Sequence, residues 1–378
     1  MPSRAPQDSP GITMHISELD TPALILDLDI MERNIASMAS YCKQAGVNLR
    51  PHIKTHKIPA IAALQIQSGA VGITSAKHSE AAVMAAAGIR DILIAYPIVA
   101  PAKADALARL VADGASIAVS LDSEIAAQCL SASAVRHGIH FRLLVEIDVG
   151  FGRCGVATPQ LAADLALKIE QLPGVSFGGL MYYPGHIFAQ GDDQEKKIVE
   201  VNARVDAAYD ALTAAGLTVQ TVSGGSSPTT RRATDFHHLT EIRPGMYPLN
   251  DRNLLEAGYA RLDDCALRVL TTVVSTAVAG RAVLDCGSKT LSSDRLLTGN
   301  TIGFGLVVED LDATLFGLSE EHGQLDIAHT TKQYKIGERL SVIPNHVCTA
   351  INMHNSLYTV RNGLVEDVWQ IAGRGCVR

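Results

Sequence analysis

The chain has 378 residues, more than one hydrophobic core usually supports, and 47% of them are hydrophobic, so two domains are expected. The formal net charge of -7 and the lack of a basic stripe argue against nucleic acid as a partner. The seven cysteines include no CxxC pair, which argues against a disulfide framework or a cysteine-rich zinc module and fits a cytoplasmic protein.

The N-terminal segment, residues 1–18, combines three prolines with polar side chains and predicts a flexible tail. It lacks the apolar core of a signal peptide. No apolar run in the chain reaches membrane-spanning length, so no membrane partner is expected.

From Thr21 onwards, strand-like and helix-like segments alternate. Strands are predicted at residues 23–28, 47–49, 72–75, 91–95, 116–120, 141–149, 175–181 and 220–223. About eight strand–helix repeats over roughly 240 residues are typical of a closed (β/α)8 barrel of the TIM type. An open, doubly wound sheet is the alternative, but sheets with so many repeats usually split.

Beyond Pro248 the pattern changes to short β-type runs separated by Gly, Asp and Asn turns. The runs are residues 267–274, 281–285, 306–308, 313–318, 339–343, 356–361 and 365–371. We therefore expect a β/α barrel over residues 19–260 and a mostly-β domain over residues 261–378.

Lys54 follows the second predicted strand and is surrounded by basic or potentially basic side chains. These neighbours are Arg50, His52, His56 and Lys57. Their repulsion would favour the uncharged amine, which is a nucleophile toward aldehydes such as pyridoxal phosphate. Taken alone, the segment favours a solvated basic turn, since charge runs usually lie on the surface.

Two glycine-rich segments follow later strands. Residues 150–155 match GxGxxG, but the next helix is predicted only at Thr158-Pro159, so a loop presenting Arg153 is favoured over a dinucleotide fingerprint. Residues 223–229 combine glycines with hydroxyls at the end of the eighth strand, which suits a phosphate, although an ordinary turn has the same composition.

His346 and Cys348 stand two residues apart at the predicted end of a strand. A strand has a period of two, so both side chains would point to one face and could fill two positions around a zinc ion. From the spacing alone, a buried histidine with an inert cysteine is the more common arrangement.

Taken in order, these segments resemble the D-threonine aldolase and D-serine dehydratase family, whose members are fold-type III pyridoxal phosphate enzymes similar to alanine racemase. The resemblance extends from Asp20 to Arg374. It is carried by residues 50–57, 145–155, 223–225, 241–247, 285–289, 321–323 and 344–348.

The resemblance implies a site for pyridoxal phosphate and a divalent metal. Lys54 would form the imine link to the cofactor, and Arg153 would lie beside its ring. Further cofactor contacts are expected from His52, Tyr183, Ser223, Gly224, Gly225, Ser226 and Tyr247. His346 and Cys348 would bind zinc, manganese or magnesium.

The implied activity is a lyase reaction on a β-hydroxy-D-amino acid. Retro-aldol cleavage to glycine and an aldehyde is favoured, because residues 152–156 and 365–375 look like the aldolases. Dehydration of D-serine or 3-hydroxy-D-aspartate to a keto acid and ammonia is the alternative, because residues 345–348 look like the dehydratases. The catalytic histidine of the aldolases aligns with Ala189, and His186, one helical turn earlier, is expected to replace it.

Two further possibilities use the same fold. One is an amino-acid racemase, which the metal pair argues against. The other is a non-catalytic pyridoxal phosphate-binding protein, which the added β domain argues against. By analogy with proteins of this fold, a homodimer is expected.

Overall fold

The computed structural model describes residues 14–188, 190–297 and 303–378. Most of the predicted flexible tail, residues 1–13, lies outside the described residues. Residues 14–18 differ from the prediction, because His15 pairs with Leu364 and Ile16–Glu18 forms a 3-10 helix. The Glu18 carboxylate accepts a hydrogen bond from the His15 amide at 2.9 Å, so pairing and capping order this short segment despite its polar composition.

The described residues fall into two compact units. One, the barrel unit, consists of Ile35–Tyr247 with Gly375–Arg378, and the other, the β unit, consists of the residues up to Asn34 with Pro248–Arg374. Residues 14–34 therefore belong to the same unit as residues 248–374, and residues 375–378 belong to the barrel unit.

The first strand, β1 (Ala23–Asp27), is followed by the helix α1 (Leu28–Ala45). We expected β1 to be the first barrel strand, and this is wrong. It pairs antiparallel with residues 267–270 and parallel with residues 358–360, inside the sheet of the β unit. Its first four residues are all buried, and an unbroken apolar run suits an inner strand of either sheet, so the sequence pattern alone could not assign it.

The barrel unit is built from eight parallel strands with helices between them. Along the chain the elements are β2 (Asn48–Leu49), α2 (Pro59–Gln67), β3 (Ile73–Ser75), α3 (His78–Ala86), β4 (Asp91–Ile94), α4 (Pro101–Ala112), β5 (Ser116–Leu121), α5 (Glu124–His137), β6 (Phe141–Glu146), α6 (Pro159–Gln171), β7 (Val175–Met181), α7 (Asp192–Ala214), β8 (Thr221–Gly224) and β9 (Glu241–Ile242). The two-residue strand β9, which the prediction missed, takes the place that β1 was expected to fill.

The sheet order is β2-β9-β8-β7-β6-β5-β4-β3, and a parallel bridge between His52 and Thr74 joins its two end strands. The predicted (β/α)8 barrel is thereby confirmed. Its core is formed by fully buried aliphatic side chains on successive strands, such as Ile73, Ile92 and Val119. Because all eight strands run in one direction, the residues that follow them meet at one edge of the barrel.

The β unit contains the remaining elements, which confirm the mostly-β prediction for the C-terminal part. They are α8 (Arg252–Glu256), β10 (Leu267–Ser275), β11 (Arg281–Leu284), α9 (Ser288–Leu291), β12 (Gly305–Val307), β13 (Thr314–Leu318), β14 (Gly323–Asp326), β15 (Arg339–Pro344), α10 (Val347–Met353), β16 (Ser356–Arg361) and β17 (Leu364–Gln370). The path β13-β14-β11-β10-β1-β16-β17 forms the sheet, and β15 pairs with both β10 and β12. Within the described ranges of both units, no helix is long and apolar enough to cross a membrane.

Candidate active site

Lys54 lies just beyond β2, where the barrel closes. The main chain just before it is fixed, because the His52 amide donates to the Pro244 carbonyl at 3.0 Å and the Ile53 amide donates to the Thr74 carbonyl at 2.9 Å. In the segment 51–58 every side chain is buried except Lys54, which is exposed. The lysine is therefore presented from a rigid, buried turn at the carboxyl edge of the barrel.

The basic neighbours of Lys54 do not form the cluster of like charges that the sequence suggested. The guanidinium of Arg50 pairs with Glu241 at 2.9 Å and also with Asp91, and the Lys57 amine pairs with Glu80 at 3.3 Å. Carboxylates from distant segments thus neutralise the two cations, a pairing that local spacing could not reveal.

Both histidines of this segment are buried, and burial lowers their pKa. The pKa of His56 falls to about 4 because burial outweighs its hydrogen bonds to Gln65 and the Ile58 amide. Burial, followed by the charges of Lys54 and Arg243, holds the pKa of His52 well below its usual value. The two rings are therefore neutral at pH 7, and activation of Lys54 by repulsion from them is not supported.

Arg153 is held against two aromatic rings. Its guanidinium carbon lies 4.6 Å from the ring centre of Tyr183 and 5.2 Å from that of Phe151. The two rings meet edge to face at 5.4 Å, and the Lys54 amine lies 5.9 Å from the Tyr183 ring centre. Three of the predicted site residues, Lys54, Arg153 and Tyr183, are thus brought together.

The loop that carries Arg153 is shaped by its glycines. The Asp148 carboxylate accepts hydrogen bonds from the Gly150 and Gly152 amides at 3.0 and 2.9 Å. Gly155 has φ +111, and a Cβ there would lie 2.4 Å from the Asp148 amide nitrogen. The next helix, α6, begins only at Pro159 after the cap residue Thr158. The glycines therefore build a loop that presents a side chain, which agrees with the predicted alternative to a dinucleotide fingerprint.

The glycine-rich turn after β8 leaves little room for any side chain. At Gly224 a Cβ would lie 2.3 Å from the Tyr182 ring, and Gly225 has φ +84, which favours glycine. Ser226 is buried and its amide donates to Thr229 Oγ1 at 2.9 Å. Such a turn lets a ligand approach the main chain closely.

Ser223 is used differently from the rest of this turn. Its hydroxyl donates to Glu241 at 2.6 Å and accepts a hydrogen bond from Arg243. Arg243 also donates to the Tyr182 carbonyl at 2.8 Å, and burial lowers the pKa of its guanidinium. A contact between the Ser223 hydroxyl and a phosphate would have to compete with this buried network.

Two buried tyrosines flank the turn. Tyr247, a predicted site residue, accepts a hydrogen bond from Gln65 at 2.9 Å, and burial raises the pKa of its hydroxyl. Tyr182 was not predicted; burial raises its pKa, and its hydroxyl has no hydrogen-bond partner among the residues that the structure describes. A buried, unpaired hydroxyl beside the Gly224 turn fits a site that receives a polar ligand. In the sequence, only the alternation of side-chain directions at the end of β7 could have shown that Tyr182, rather than Tyr183, is the buried tyrosine.

His186 follows β7, as expected, and lies beside Gly150, in the loop that also carries Arg153. A Cβ on Gly150 would lie 3.5 Å from its Nε2 atom, and burial and then Lys197 lower the pKa of the ring. Its Nδ1 atom is buried and has no partner within the described ranges. Ala189, the position that aligns with the aldolase histidine, lies outside the described residues.

The predicted metal pair lies in the β unit, in a geometry unlike the expected one. Strand β15 ends at Pro344, His346 precedes α10, and Cys348 is the second residue of that helix. The expectation of a shared strand face is wrong, yet the two side chains meet, because His346 and Cys348 share a hydrogen bond. Burial lowers the pKa of His346, but its bonds to Asp251 and Cys348 outweigh this and raise it to about 11.

Imidazole and thiolate are a donor set that suits zinc. In the part of the chain that the structure describes, no group of three or more His, Cys, Asp or Glu residues is arranged to hold a metal. The protein can therefore offer a pair of ligands here, with the remaining positions open to water or substrate.

Comparison with known proteins identifies the same two parts. Residues 26–249 match the alanine racemase N-terminal domain family, and residues 266–360 match the putative serine dehydratase domain. A 3-hydroxy-D-aspartate aldolase from Paracoccus denitrificans is 35% identical, over 96% of this chain and 94% of its own.

Two solved structures are similar over nearly their full length. The D-threonine aldolase from Filomicrobium marinum superimposes with a TM-score of 0.90 at 33% identity, over 97% of this chain and 99% of its own. The D-threo-3-hydroxyaspartate dehydratase from Delftia sp. HT23 has a TM-score of 0.87 at 32% identity, over 94% of this chain and 98% of its own. The chain therefore belongs to the alanine racemase-like family of fold-type III pyridoxal phosphate lyases that includes the D-threonine aldolases and the D-serine dehydratases.

Proposed function

We propose that this lyase cleaves the Cα–Cβ bond of a β-hydroxy-D-amino acid and releases glycine and an aldehyde. The relatives named above act on D-threonine or on 3-hydroxy-D-aspartate, so substrates with a methyl or a carboxylate on Cβ are the first to test. The cofactor would be pyridoxal phosphate in the barrel unit, together with a divalent metal at His346 and Cys348.

Several features of the barrel edge support the cofactor site. Lys54 is the exposed amine on a buried turn, and the Tyr183 ring, with the Arg153 guanidinium against it, lies beside the amine. The Gly224 and Gly225 turn admits a close approach of the phosphate to the main chain, and the unpaired Tyr182 hydroxyl offers a hydrogen bond. When bound, pyridoxal phosphate supplies an electron sink for negative charge at Cα.

The proposal of aldol cleavage rests on His186. Retro-aldol cleavage requires a base that takes the proton of the β-hydroxyl, and a neutral imidazole at pH 7 is suited to this task. The lowered pKa of His186 keeps its ring neutral, and its buried Nδ1 has no partner among the described residues. His186 would therefore accept the hydroxyl proton in place of the histidine found at the position of Ala189 in the aldolases.

The pair His346 and Cys348 supports the metal. A cysteine-to-alanine variant of a D-threo-3-hydroxyaspartate dehydratase similar to this chain is described in a metal-free form. A thiol beside a histidine is a credible ligand pair for zinc, and the metal would supply a Lewis acid toward the β-oxygen.

Cys348 also favours the second candidate function, dehydration. In that reaction a base removes the α-proton, the β-hydroxyl leaves, and the product hydrolyses to a keto acid and ammonia. Lys54 would act as the base, because its amine is the group that reaches the cofactor.

Product analysis tests the two candidates directly. The purified protein, loaded with pyridoxal phosphate and Mn²⁺ or Zn²⁺, is incubated with D-threonine, D-serine and 3-hydroxy-D-aspartate in parallel. Glycine with an aldehyde establishes the aldolase, whereas a keto acid with ammonia establishes the dehydratase. Interconversion of enantiomers without either product would identify a racemase, and cofactor binding without turnover would identify a non-catalytic carrier.

We also propose a homodimer, which rests on the analogy with proteins of this fold. Light scattering of the cofactor-loaded protein measures its mass in solution. A mass of about 80 kDa supports the dimer, since the chain has a mass of 40.1 kDa, and a value near 40 kDa contradicts it.

A further inference from the structure

Asp251 stands behind the metal pair in the β unit. Its side chain is fully buried, and both carboxylate oxygens are in use. One oxygen accepts a hydrogen bond from the Leu254 amide at 3.1 Å and thereby caps α8. The other accepts a hydrogen bond from the Val347 amide at 3.0 Å and lies 3.2 Å from Nδ1 of His346.

These contacts determine what Asp251 can do. Three of the about four acceptor positions of this carboxylate are in use, and the side chain has no exposure to solvent, so it is not placed at a coordination position open to water or substrate. This agrees with the finding that no group of three or more metal-binding side chains occurs in the described ranges. Asp251 is therefore placed to act on His346 rather than on a metal.

We propose that Asp251 is a positioning residue that sets the tautomer and orientation of His346, so that Nε2 is presented to a divalent metal. This inference rests on the proposed function, because it assumes a metal at His346 and Cys348. When His346 gives up one proton to bind a metal, the carboxylate, an acceptor, keeps the remaining proton on Nδ1, and the lone pair then belongs to Nε2, across the ring. The Val347 bond fixes the backbone between the two ligands.

The geometry explains why a carboxylate is needed at this position. Asparagine is nearly the same size and is an equally good helix cap. Suppose that the side-chain oxygen of an Asp251→Asn variant still accepts the hydrogen bond from the Leu254 amide. Its NH₂ group would then face His346 and the Val347 amide, and that amide is itself a donor. Nδ1 would then have to accept, and the proton would move to Nε2, where it blocks metal coordination.

The test compares Asp251→Asn with Thr158→Ala, which removes the side-chain cap of α6 in the barrel unit and leaves the metal pair intact. Zn²⁺ affinity of the pyridoxal phosphate-loaded proteins is measured by competition with a chromophoric chelator, and Co²⁺ binding by its visible spectrum. In Asp251→Asn the dissociation constant for Zn²⁺ should rise about 10- to 100-fold, and the Co²⁺ bands should shift or weaken. In Thr158→Ala both should match the unaltered protein. Unchanged affinity and spectrum in Asp251→Asn would overturn the proposal.

Two further measurements separate a failure of this proposal from a failure of the proposed metal site or from misfolding of the variant. Zn²⁺ affinity of His346→Ala reports on the metal site itself: if it equals that of the unaltered protein, the metal site proposed above is wrong, whatever Asp251→Asn does. If Asp251→Asn does not fold, ¹⁵N-histidine spectra of the unaltered protein decide the question. In the Zn²⁺-loaded protein, a proton on Nδ1 of His346 with the metal shifting Nε2 supports the proposal, and a proton on Nε2 with the metal shifting Nδ1 refutes it.

Discussion

Gln65 of α2 donates a hydrogen bond of 2.9 Å to the hydroxyl of Tyr247, and both side chains are buried. The two residues are 182 positions apart in the sequence, so the contact depends on barrel closure. It directs the Tyr247 hydroxyl, one of the groups expected at the cofactor phosphate.

Gln65→Leu should therefore weaken cofactor binding. The substitution leaves the Tyr247 hydroxyl without its buried donor, which costs about 1–3 kcal/mol, so the dissociation constant for pyridoxal phosphate should rise roughly 5- to 150-fold. Absorbance titration of the cofactor-free protein measures it. Gln128→Leu, which alters an exposed glutamine on α5 bonded to Glu124, is the control. Equal affinity in Gln65→Leu and the unaltered protein would separate Tyr247 from the cofactor.

Lys54→Ala should abolish the visible absorbance of the lysine-bound cofactor. The amine is the group that we propose bonds covalently to the aldehyde, and no other side chain of the segment 51–58 is exposed. Absorbance spectra after gel filtration provide the measurement. Lys168→Ala removes an exposed lysine on α6 that pairs with Glu124 and should retain the spectrum. If Lys54→Ala keeps the bound-cofactor band, another residue holds the cofactor.

His186→Gln should lower kcat for aldol cleavage about 10²- to 10⁴-fold, the range expected for loss of a general base. The pH profile of kcat should also lose its acidic limb, since the ring of His186 must be neutral to accept a proton and its pKa is lowered by burial. Glycine formation from D-threonine measures both effects. His140→Gln, on an exposed histidine bonded to Ser176, should leave both unchanged. An intact acidic limb in His186→Gln would assign the base elsewhere.

Gly155→Ala should disturb the loop that presents Arg153 more than Gly152→Ala does. A methyl group at Gly155 collides with the Asp148 backbone at 2.4 Å. At Gly152 a methyl group meets nothing within 4 Å, and only the φ of +70 opposes it. The strain at Gly152 should cost about 1–2 kcal/mol of unfolding free energy, and Gly155→Ala should cost more. Urea unfolding measures stability, and absorbance titration measures cofactor affinity. Equal losses in the two variants would show that the loop tolerates displacement.

The buried histidine His56 should make the protein sensitive to mild acid. Its folded-state pKa is about 4, below the value of an unfolded histidine, so the folded state binds fewer protons than the unfolded state between these pH values. Its contribution to stability is complete above about pH 6.5 and is lost as pH falls toward 4, at up to ~1.4 kcal/mol per pH unit.

Replacing His56 should remove this acid dependence. In His56→Gln the free energy of unfolding, from urea titrations followed by circular dichroism at pH 7, 6 and 5, should fall less steeply than in the unaltered protein. His237→Gln, on an exposed histidine, is the control. Identical slopes in His56→Gln and the unaltered protein would mean that His56 is not the group responsible.

The sequence alone predicted the barrel and the residues that follow its strands, because both depend on local patterns. The proximity of Lys54 and Arg153 could be predicted because strand ends in a parallel barrel share one edge, and Tyr183 was expected from the family resemblance. Gln65, Tyr182 and Asp251 could not, because their roles arise from contacts between segments far apart in the chain. The ion pairs of Arg50 and Lys57 could not be predicted for the same reason. They cancel the charge repulsion that the linear sequence suggested.

Strand β1 shows the same limitation at the scale of a domain. Its residues form an apolar run that reads like any inner strand, and its neighbours, β10 and β16, lie more than 200 residues away along the chain. The prediction placed it in the barrel because consecutive elements are usually neighbours in space.

The position of β1 also determines how the β unit can be produced. The ribosome releases residues 25–27 more than 300 residues before their partners in β16, residues 358–360. A separately expressed fragment of residues 261–378 would lack an inner strand and would expose the unpaired edges of β10 and β16, which are templates for aggregation. Supplying residues 14–34 as a peptide should then restore a soluble, folded fragment by strand complementation.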